Sequence, residues 1–468
     1  MLTNLDWLSP GKTFPPPVEK DRISRYETNE KLFLTKHAEV WKDDFEKLAL
    51  VSRKTRKDIE TVVNYQQLLS KKIADFVCGE TPTIKFADNV ASDEIIKLLV
   101  RQGFFTRLYE AFIDVTICGN AVLKFVDKQI TAASPRNWYP IVSPSDLKTI
   151  THHVIAYKTA PNEKGKMTEL YVEIHTVGNM EQRTYNFDED KREIGSMKQD
   201  PTTINTGLDD FAVQILTNIT YSGDIFGIDD YSAVNSIIKK IMWRLLCSDT
   251  VLDKHSEPSM SGPRSALTYD EEFKRYYLDL GNYFMRNNKE DPPLEYVTWD
   301  GNLENNFKEI ELLFNQLYIL SEMGQAFVEG GGGGNASSGT ALRLKMVSPR
   351  IKAARLSNLN TGSVKQIICL FGTINGYAID YDSISLEWKD GLPNDDTEQT
   401  TMLLNAAGGK QIMSQRSAIM ARGLSEADAE AELEQIREES AANMPITLSV
   451  VDKNTTNPVT DDESTGTE

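Results

Sequence analysis

The sequence has 468 residues, of which 40% are hydrophobic and 26% charged, so it is long enough for about three structural units and too apolar to be mainly disordered. Its formal net charge of −18 argues against a broad duplex-binding surface, which normally shows as a basic excess. No uncharged apolar run reaches the roughly 18 residues of a membrane span, and no basic segment leads into an apolar one at the N-terminus, so neither a membrane helix nor a secretory signal is predicted.

The N-terminal half is predicted to combine helices with an antiparallel sheet. Residues 1–29 contain the proline run Pro15–Pro17 and predict an extended arm. Apolar residues at helical spacing then predict helices over Lys54–Val77 and Asp93–Ile117, each followed by a glycine. Alternating apolar residues next predict strands, which makes the first 225 residues an α+β unit. The predicted strands are Ala121–Val126, Val154–Lys158, Thr168–His175 and Gln182–Phe187.

Two long helices with an insert between them are predicted next. Asp229 and Asp230 favour the start of the first helix electrostatically, and this helix is predicted to end before Pro258. Apolar residues three and four apart, beginning at Phe307, predict the second helix. The insert, residues 259–303, is far longer than the usual two to eight residues between packed helices. We therefore expect it to form an independent tip with a role of its own.

A glycine-rich segment leads into a third long helix. The run Gly330–Gly334 predicts a mobile loop, and a phosphate-binding loop is disfavoured because no lysine follows Gly339. An ordinary linker is the alternative, but the long helices on both sides favour a loop presented to a ligand or a channel. Pro349 lies inside the helical pattern and predicts a kink. Six basic residues and no acidic ones lie along this helix and the loop before it, and we call them the basic band. They either contact phosphate groups or form a solvated helix face. The basic band comprises Arg343, Lys345, Arg350, Lys352, Arg355 and Lys365.

The C-terminal region is predicted to be partly helical and strongly acidic. A strand at Ile384–Trp388 is predicted to return to the earlier sheet. Helices are predicted near Thr397–Leu404 and, after a serine cap, over Glu426–Glu438. Residues 447–468 are predicted to be disordered. Residues 424–468 hold 12 acidic and 2 basic residues, so more than half of the net charge lies in the last tenth of the chain.

The sequence contains no recognisable catalytic or metal-binding pattern. The five histidines are scattered, and the adjacent His152 and His153 would point to opposite faces of a strand, so they could not share a metal ion. The four cysteines form no Cys-x-x-Cys pair, which favours reduced thiols over a zinc site or a disulfide. We therefore predict neither a metal site nor a cofactor, and an enzyme is disfavoured.

Four segments carry a family resemblance. The first runs from Val62–Tyr65 to Phe76–Pro82, and the second, Tyr109–Lys124, contains the turn Cys118-Gly119-Asn120-Ala121. The third is Phe226–Tyr231, at the start of the first long helix, and the fourth is Asn335–Arg343. In this order, with the two long helices and their insert, the segments resemble the portal proteins of bacteriophages, in particular those of long-tailed phages that infect Gram-positive hosts.

The resemblance implies a portal fold with an α/β wing, a stem of long helices, a small α/β clip, a kinked helix after a tunnel loop, and a helical crown. It implies a ring of twelve subunits, or thirteen in isolation, that is assembled in the host cytoplasm and occupies one capsid vertex of the virion. Double-stranded DNA would pass through the ring during packaging and ejection. The implied partners are the terminase large subunit, a head-completion adaptor, and capsid and scaffolding proteins, with no membrane. The implied domains are the arm (1–29), wing (30–228), stem helices (229–256 and 303–328), clip (257–302), tunnel loop (329–341), kinked helix and return strand (342–394), crown (395–446) and tail (447–468).

The resemblance also assigns residues to three surfaces. The tunnel loop would face DNA with Gly330, Gly331, Gly332, Gly333, Gly334, Asn335, Ser337, Ser338, Arg343 and Lys345. The clip would meet the terminase and the adaptor with Arg264, Asp270, Glu271, Lys274, Arg275 and Arg286. The stem would contact neighbouring subunits with Ile238, Ile241, Leu245, Phe314, Leu317 and Leu320.

Two other function classes stay open. One is an enzyme, in the form of a motor that acts on nucleic acid, which ATP hydrolysis by the purified chain would reveal. The other is a different head–tail connector ring, which would lack the long stem-and-clip hairpin. The acidic balance fits a channel, because an acidic wall repels phosphate and keeps a duplex centred without tight binding.

Overall fold

The computed structural model describes residues 1–52, 63–87, 92–256, 260–261, 267–278, 295–296, 303–324, 346–389, 404–405, 413–422 and 426–442. The chain forms two compact units, Met1–Leu392 and Pro393–Glu468, and each is described by itself. Helices and antiparallel sheets are both abundant in the first unit, which confirms the predicted α+β class. In the ranges given above, no helix is long and apolar enough to cross a membrane.

The helices of the first unit share one apolar core. Its largest fully buried side chains come from segments far apart in the sequence and include Tyr26, Phe112, Tyr231 and Phe371. The helices are α1 (Lys20–Phe33), α2 (His37–Val40), α3 (Lys42–Ser52), α4 (Tyr65–Cys78), α5 (Ser92–Arg101), α6 (Phe104–Cys118), α7 (Asn235–Ser256), α8 (Glu304–Leu320) and α9 (Val347–Ile374).

Local sequence explains where several of these helices begin and end. Asn64 caps α4, since its Oδ1 accepts a hydrogen bond at 2.8 Å from the amide three residues on. The single helix predicted over Asp93–Ile117 is wrong. Gly103 adopts a left-handed φ of 70° there and separates α5 from α6. Of the helix predicted over Lys54–Val77, residues 54–62 lie outside the described residues, residues 63 and 64 are not helical, and α4 forms the remainder from Tyr65.

The packing of α6 beside α1 places a carboxyl group in an unfavourable setting. Burial, and then the carboxylates of Glu30 and Glu110, raise the pKa of Asp114 on α6 to about 7. The folded state therefore holds this proton more tightly than the unfolded chain, in which aspartate titrates near ~3.9. Folding stability should accordingly fall as the pH rises from about 4 to about 7.

Replacing Asp114 with asparagine should remove this pH dependence. We expect the variant to match the parent near pH 4 and to be more stable at pH 8 by about 1 to 2 kcal/mol, because the carboxyl is partly exposed to solvent. Urea unfolding of both proteins at the two pH values measures the difference. The same stability difference at pH 4 and at pH 8 would contradict the assignment.

The strands preceding α7 are β1 (Thr83–Phe86), β2 (Asn120–Val126), β3 (Gln129–Ala133), β4 (Trp138–Ser143), β5 (Asp146–Pro161), β6 (Met167–Thr176), β7 (Asn179–Asp188), β8 (Glu193–Met197), β9 (Thr202–Asn205) and β10 (Val213–Thr217). The largest sheet has six antiparallel strands in the order β4-β5-β6-β7-β8, with β9 also paired to β7. The four strands predicted from alternation are confirmed as parts of β2, β5, β6 and β7.

The N-terminal segment packs against this sheet, which corrects the prediction of an extended arm. Leu2, Trp7 and Phe14 are buried in one cluster with Tyr139 of β4. Moreover, α1 begins at Lys20, inside the predicted arm. The prediction failed because the apolar residues around the proline run supply core contacts that only the folded sheet reveals.

Two smaller sheets contain the remaining strands before α7 and the strand that follows α9. One has the order β10-β2-β3, and the other pairs β1 with β15 (Ile384–Glu387). The predicted return strand therefore forms, but it joins β1 and not the large sheet. At the edge strand β10, Asn360 of α9 accepts a hydrogen bond from the Thr217 amide at 2.7 Å and donates one to the Thr217 carbonyl at 3.0 Å.

The long helices α7 and α8 pack together, as the sequence predicts. The Glu309 carboxylate of α8 forms ion pairs with Lys240 Nζ at 3.1 Å and with Arg244 Nη2 at 3.0 Å, and both basic residues lie on α7.

Pro349 lies in the first turn of α9, where a missing amide hydrogen breaks no helical bond. The described part of this helix therefore gives no support for the predicted kink. Between α7 and α8 lie β11 (Met260–Ser261), β12 (Leu267–Asp270), β13 (Arg275–Leu278) and β14 (Glu295–Tyr296).

The second unit contains α10 (Gln415–Ala421) and α11 (Glu426–Ala442). Arg416 joins these two helices through Glu426 at 2.7 Å and Glu430 at 3.0 Å. The predicted helix Glu426–Glu438 is confirmed within α11. Most of the helix predicted near 397–404 and all of the tail 447–468 lie outside the described residues.

Candidate functional site

The predicted DNA-facing loop lies between α8 and α9. All ten residues assigned to it lie outside the described residues, whereas both flanks, 303–324 and 346–389, are described. The ten residues are Gly330, Gly331, Gly332, Gly333, Gly334, Asn335, Ser337, Ser338, Arg343 and Lys345. The geometry of the two flanks is therefore the part of this site that the structure defines.

A buried ion pair joins both flanks to the segment that leads into α7. Lys352 Nζ, on α9, donates to Asp230 Oδ1 at 2.6 Å and to the Ser321 carbonyl, just after α8, at 2.9 Å. The side chains of Lys352 and Asp230 are only 5% and 11% exposed. Burial raises the pKa of Asp230, and the Lys352 ammonium opposes that effect. We call Lys352, Asp230 and Ser321 the loop anchor.

A second set of contacts joins the same two flanks next to the loop anchor. Arg355 of α9 forms an ion pair with Glu322, and Ser348 Oγ donates to the Glu322 carbonyl at 2.9 Å. Glu322 itself has a φ of 59°, in the left-handed region that non-glycine residues rarely adopt. The chain therefore leaves α8 through a sharp turn that side chains of α9 hold in place.

The carboxylates before α7 are fixed from several directions. Asn218 Nδ2 donates to Asp230 Oδ2 at 3.2 Å. Asp229 accepts hydrogen bonds from the amides of Tyr231 at 3.1 Å and Ser232 at 2.7 Å, and Arg25 Nε lies 3.3 Å from its other oxygen. These bonds give the loop anchor a rigid base in the core.

Two of the segments that carry the family resemblance meet directly behind this base. Gly119 and Gly227 lie so close that a Cβ on either would overlap the backbone of the other. The Asn218 amide donates to the Gly119 carbonyl, and the Gly227 amide donates to Asn120 Oδ1, both at 2.9 Å. Only glycine fits at this crossing, which explains both glycines of the two motifs.

Most of the basic band that the structure describes is engaged inside the chain. Lys352 and Arg355 form the ion pairs given above, and Lys365 Nζ lies 4.4 Å from the ring centroid of Tyr381. Sequence reasoning missed these roles. The available signal was the position of Lys352 on the apolar face of α9, four residues before the fully buried Leu356.

Of the six residues predicted to contact neighbouring subunits, three are fully buried in the core of their own chain. This corrects the prediction for those three, because such a side chain presents no surface to a neighbour. Two others are partly buried, and Leu320 is 46% exposed. The fully buried residues are Ile238, Ile241 and Leu317, and the partly buried ones are Leu245 and Phe314.

Four of the six predicted clip residues lie on the hairpin β12–β13. Asp270 caps its turn, accepting hydrogen bonds from the amides two and three residues on at 2.9 and 3.1 Å. Exposed Glu271 and Lys274 belong to the turn, and the Arg275 guanidinium lies 5.3 Å from the ring centroid of Phe273. Arg264 and Arg286 lie outside the described residues. The hairpin therefore presents charge and an aromatic ring together.

A buried polar cluster in the sheets was not predicted. Lys124 Nζ donates to Glu173 Oε2 at 2.6 Å, and His175 Nε2 lies 3.3 Å from the same oxygen. Beside it, Trp138 Nε1 donates to His153 Nδ1 at 3.1 Å, and burial lowers the pKa of His153 to about 3. No three histidine, cysteine or acidic residues within the described ranges are arranged to hold a metal ion. The cluster joins β2 to β6 and β4 to β5 through buried side-chain hydrogen bonds.

A family model described as phage portal protein, SPP1 Gp6-like, matches residues 17–445. No curated protein matches the chain. The chain is similar to a solved chain from the neck of an empty gene transfer agent particle with C6 symmetry, at 12% identity and a TM-score of 0.45, covering 78% of this chain and 90% of that one. A chain from the virion of a native gene transfer agent matches at 11% identity and a TM-score of 0.41, with coverages of 77% and 90%.

Proposed function

Because the chain belongs to the SPP1 Gp6-like family of phage portal proteins, we propose that it forms a twelve-subunit ring at one capsid vertex and carries double-stranded DNA through its channel during packaging and ejection. The observation that supports this most is the extent of the family match. It runs from residue 17 to residue 445 and includes the strands and all three long helices. Family membership makes the chain a portal or connector protein of a phage particle. Three points belong to the proposal alone. They are the number of subunits in the ring, the path of the DNA through it, and the origin of the chain in a long-tailed phage of Gram-positive hosts.

The long helices and the hairpin between them suit the proposed stem and clip. In the proposal, residues 229–256 and 303–328 form the stem, and 257–302 form the clip that meets the terminase large subunit and later the head-completion adaptor. The contacts of Glu309 with Lys240 and Arg244 support a stem built from α7 and α8. The exposed charges and ring of β12–β13 support a docking surface, because aromatic and arginine side chains are enriched at protein interfaces.

The tunnel loop, residues 329–341, is proposed to face the DNA together with Arg343 and Lys345. Since Lys352 and Arg355 are neutralised by Asp230 and Glu322, they are poor candidates for phosphate contacts. The overall acidic charge fits a channel that repels phosphate and lets the duplex slide. A structure of the ring with duplex in the channel tests this, and Arg343 and Lys345 at the outer wall would refute it.

Negative-stain electron microscopy with mass measurement on the purified protein tests the proposed ring directly. Closed rings of about twelve or thirteen subunits with a central channel and a protruding stem are the expected result. A ring without a stem would favour a different head–tail connector. A chain that stays monomeric with capsid and scaffolding proteins present, and that hydrolyses ATP, would overturn the proposal in favour of a motor enzyme.

We also propose that the exposed face of α8 contacts the neighbouring subunit. Leu320 and its neighbour Ile319 are 46% and 68% exposed, whereas Leu317 is buried. Replacing Leu320 with serine should therefore reduce ring yield while changing chain stability by no more than about 0.5 kcal/mol. By contrast, Leu317→Ala should lower the free energy of unfolding by about 2 to 5 kcal/mol. Light scattering measures ring yield, and urea unfolding measures stability.

The control for this prediction is Leu34→Ser, at another exposed leucine that lies outside the long helices. It should leave both ring yield and stability unchanged. A normal ring yield for Leu320→Ser would show that this face of α8 is not a subunit contact.

A further inference from the structure

An open apolar groove lies in the first unit between α4, α9 and β15. Its volume is about 570 Å³, within the roughly 300 to 1,000 Å³ that is typical of ligand pockets. The side chains that line it include Val347 and Ile351 of α9 and Trp388, which directly follows β15. Val347 and Ile351 are 42% and 60% exposed, so the described part of the chain leaves this apolar surface uncovered. We call it the α9 groove.

The α9 groove is preformed and carries positive charge. Trp388 Nε1 donates to Thr361 Oγ1 at 2.9 Å, and the Trp388 ring packs edge-on against the buried Phe112, with ring centroids 5.9 Å apart. The two charged residues of the lining, Arg350 and Lys389, are both basic. An occupant that suits this groove is therefore apolar, with an acidic group beside its apolar side chains.

Helix α8 carries a surface of this kind. Leu312 and Ile319 are 64% and 68% exposed and lie seven residues apart, so they share one side of the helix. Glu311 is exposed beside Leu312. Ile310 and Leu317, also seven residues apart, are buried and form the inward side. We call Glu311, Leu312 and Ile319 the outer face of α8.

The α9 groove and the end of α8 lie on opposite sides of α9. Lys352 donates to the Ser321 carbonyl, just after α8, whereas Ala354 lines the groove. Two residues correspond to about 200° around a helix. Among the described residues, no side chain of α8 lines the groove. The outer face of α8 therefore does not fill the groove of its own chain, and a second copy is the source that remains for it.

We propose that the outer face of α8 occupies the α9 groove of the neighbouring subunit, with Leu312 and Ile319 against the apolar lining and Glu311 beside its basic residues. A closed ring of identical chains joins two different surfaces at every contact, one from each neighbour. Lys389 lies 3.9 Å from Glu80 of its own chain, but these side chains are 49% and 42% exposed, so that contact contributes little. The inference rests on the proposed function for the existence of the ring and adds which two surfaces its subunits join.

Disulfide cross-linking of the purified full chain, under the conditions of ring assembly, tests the contact. Ile319→Cys is combined in one chain with Val347→Cys, Ile351→Cys or Ala354→Cys. At least one combination should give a ladder of linked chains on mild oxidation, because a disulfide requires Cα atoms within about 7 Å. The parent and each single variant show the background from the native cysteines. The matched control combines Ile319→Cys with Leu34→Cys, at an exposed position outside the groove, and should give no ladder.

Filling the groove tests the same contact without new cysteines. Ala354 is exposed in the groove, so Ala354→Trp should occupy it and reduce ring yield about tenfold or more, with the midpoint of urea unfolding close to that of the parent. The matched control is Leu359→Trp, since Leu359 is 54% exposed on the same helix and does not line the groove. It should leave ring yield unchanged. A parental ring yield for Ala354→Trp would overturn the inference.

The outcomes separate this inference from the proposed ring. Closed rings in electron micrographs, without cross-links between α8 and the groove, would overturn the inference and leave the proposed function standing. Cross-linked chains that form no closed ring would support the contact and refute the ring. Neither rings nor cross-links would overturn both.

Discussion

Replacing Gly227 with alanine is expected to lower the free energy of unfolding by about 3 kcal/mol or more, because backbone atoms surround the position. The added Cβ would overlap the carbonyl oxygen of Gly119 and lie 3.0 Å from the Asn218 amide nitrogen. These backbone atoms cannot move away from the new Cβ as the end of a flexible side chain can. The hydrogen bonds that fix the crossing would lengthen, and the start of the segment leading into α7 would shift with them.

The matched control is Gly362→Ala, in the exposed middle of α9. A Cβ there would meet only the Tyr381 hydroxyl at 3.4 Å, an ordinary contact. Because alanine favours helix more than glycine does, this variant should be more stable than the parent, by up to about 1 kcal/mol. Chemical denaturation followed by circular dichroism measures both variants. An unchanged midpoint for Gly227→Ala would mean that the close approach of the two glycines is absent in solution.

Replacing Lys124 with methionine is expected to cost about 3 to 5 kcal/mol near neutral pH, because it leaves the Glu173 carboxylate buried without its cation. In the parent, burial acts to raise the pKa of Glu173, but hydrogen bonds from His175 and Lys124 outweigh it, and the pKa is lowered. This pair therefore stabilises the fold above the ordinary glutamate pKa, and the contribution is lost as the pH falls through the lowered value. The variant should lose less at low pH, where Glu173 becomes protonated.

Lys85→Met provides the comparison on an exposed ion pair. Lys85 lies 2.9 Å from Glu387, but both side chains are more than half exposed, so the loss should be about 1 kcal/mol or less. Adding Glu173→Gln to Lys124→Met should recover part of the stability, since no buried charge then remains. Urea unfolding at pH 4 and pH 7 measures these differences. Equal losses for Lys124→Met and Lys85→Met would contradict the role assigned to burial.

The elements with a strong local signal could be predicted from the sequence. The periodic apolar residues of α7 and α8, the serine cap before α11 and the alternation in β6 are properties of short windows, so their prediction needs no knowledge of the fold. The break at Gly103 shows the limit of this approach. The apolar pattern continues across the glycine, and its left-handed conformation appears only in the structure.

For the candidate site, the sequence predicted only the order of the helices and the loop along the chain. The resemblance placed a glycine-rich loop between two long helices, and the structure describes helices on both of its flanks. The loop anchor could not be predicted, because Lys352 and Asp230 are 122 residues apart and each is an ordinary charged residue locally. For the same reason, burial within the chain overturned the interface role of Leu317, since spacing identifies an apolar face but not what covers it.

The side chain of Asn360 has a consequence for how copies of this chain meet. A strand at the border of a sheet offers unpaired amide and carbonyl groups, to which a strand from another molecule is able to add. At the end of β10, the side-chain amide of Asn360 is hydrogen-bonded to both the backbone amide and the backbone carbonyl of Thr217. Where many identical chains assemble side by side, this helix-borne amide disfavours unwanted strand exchange at that border.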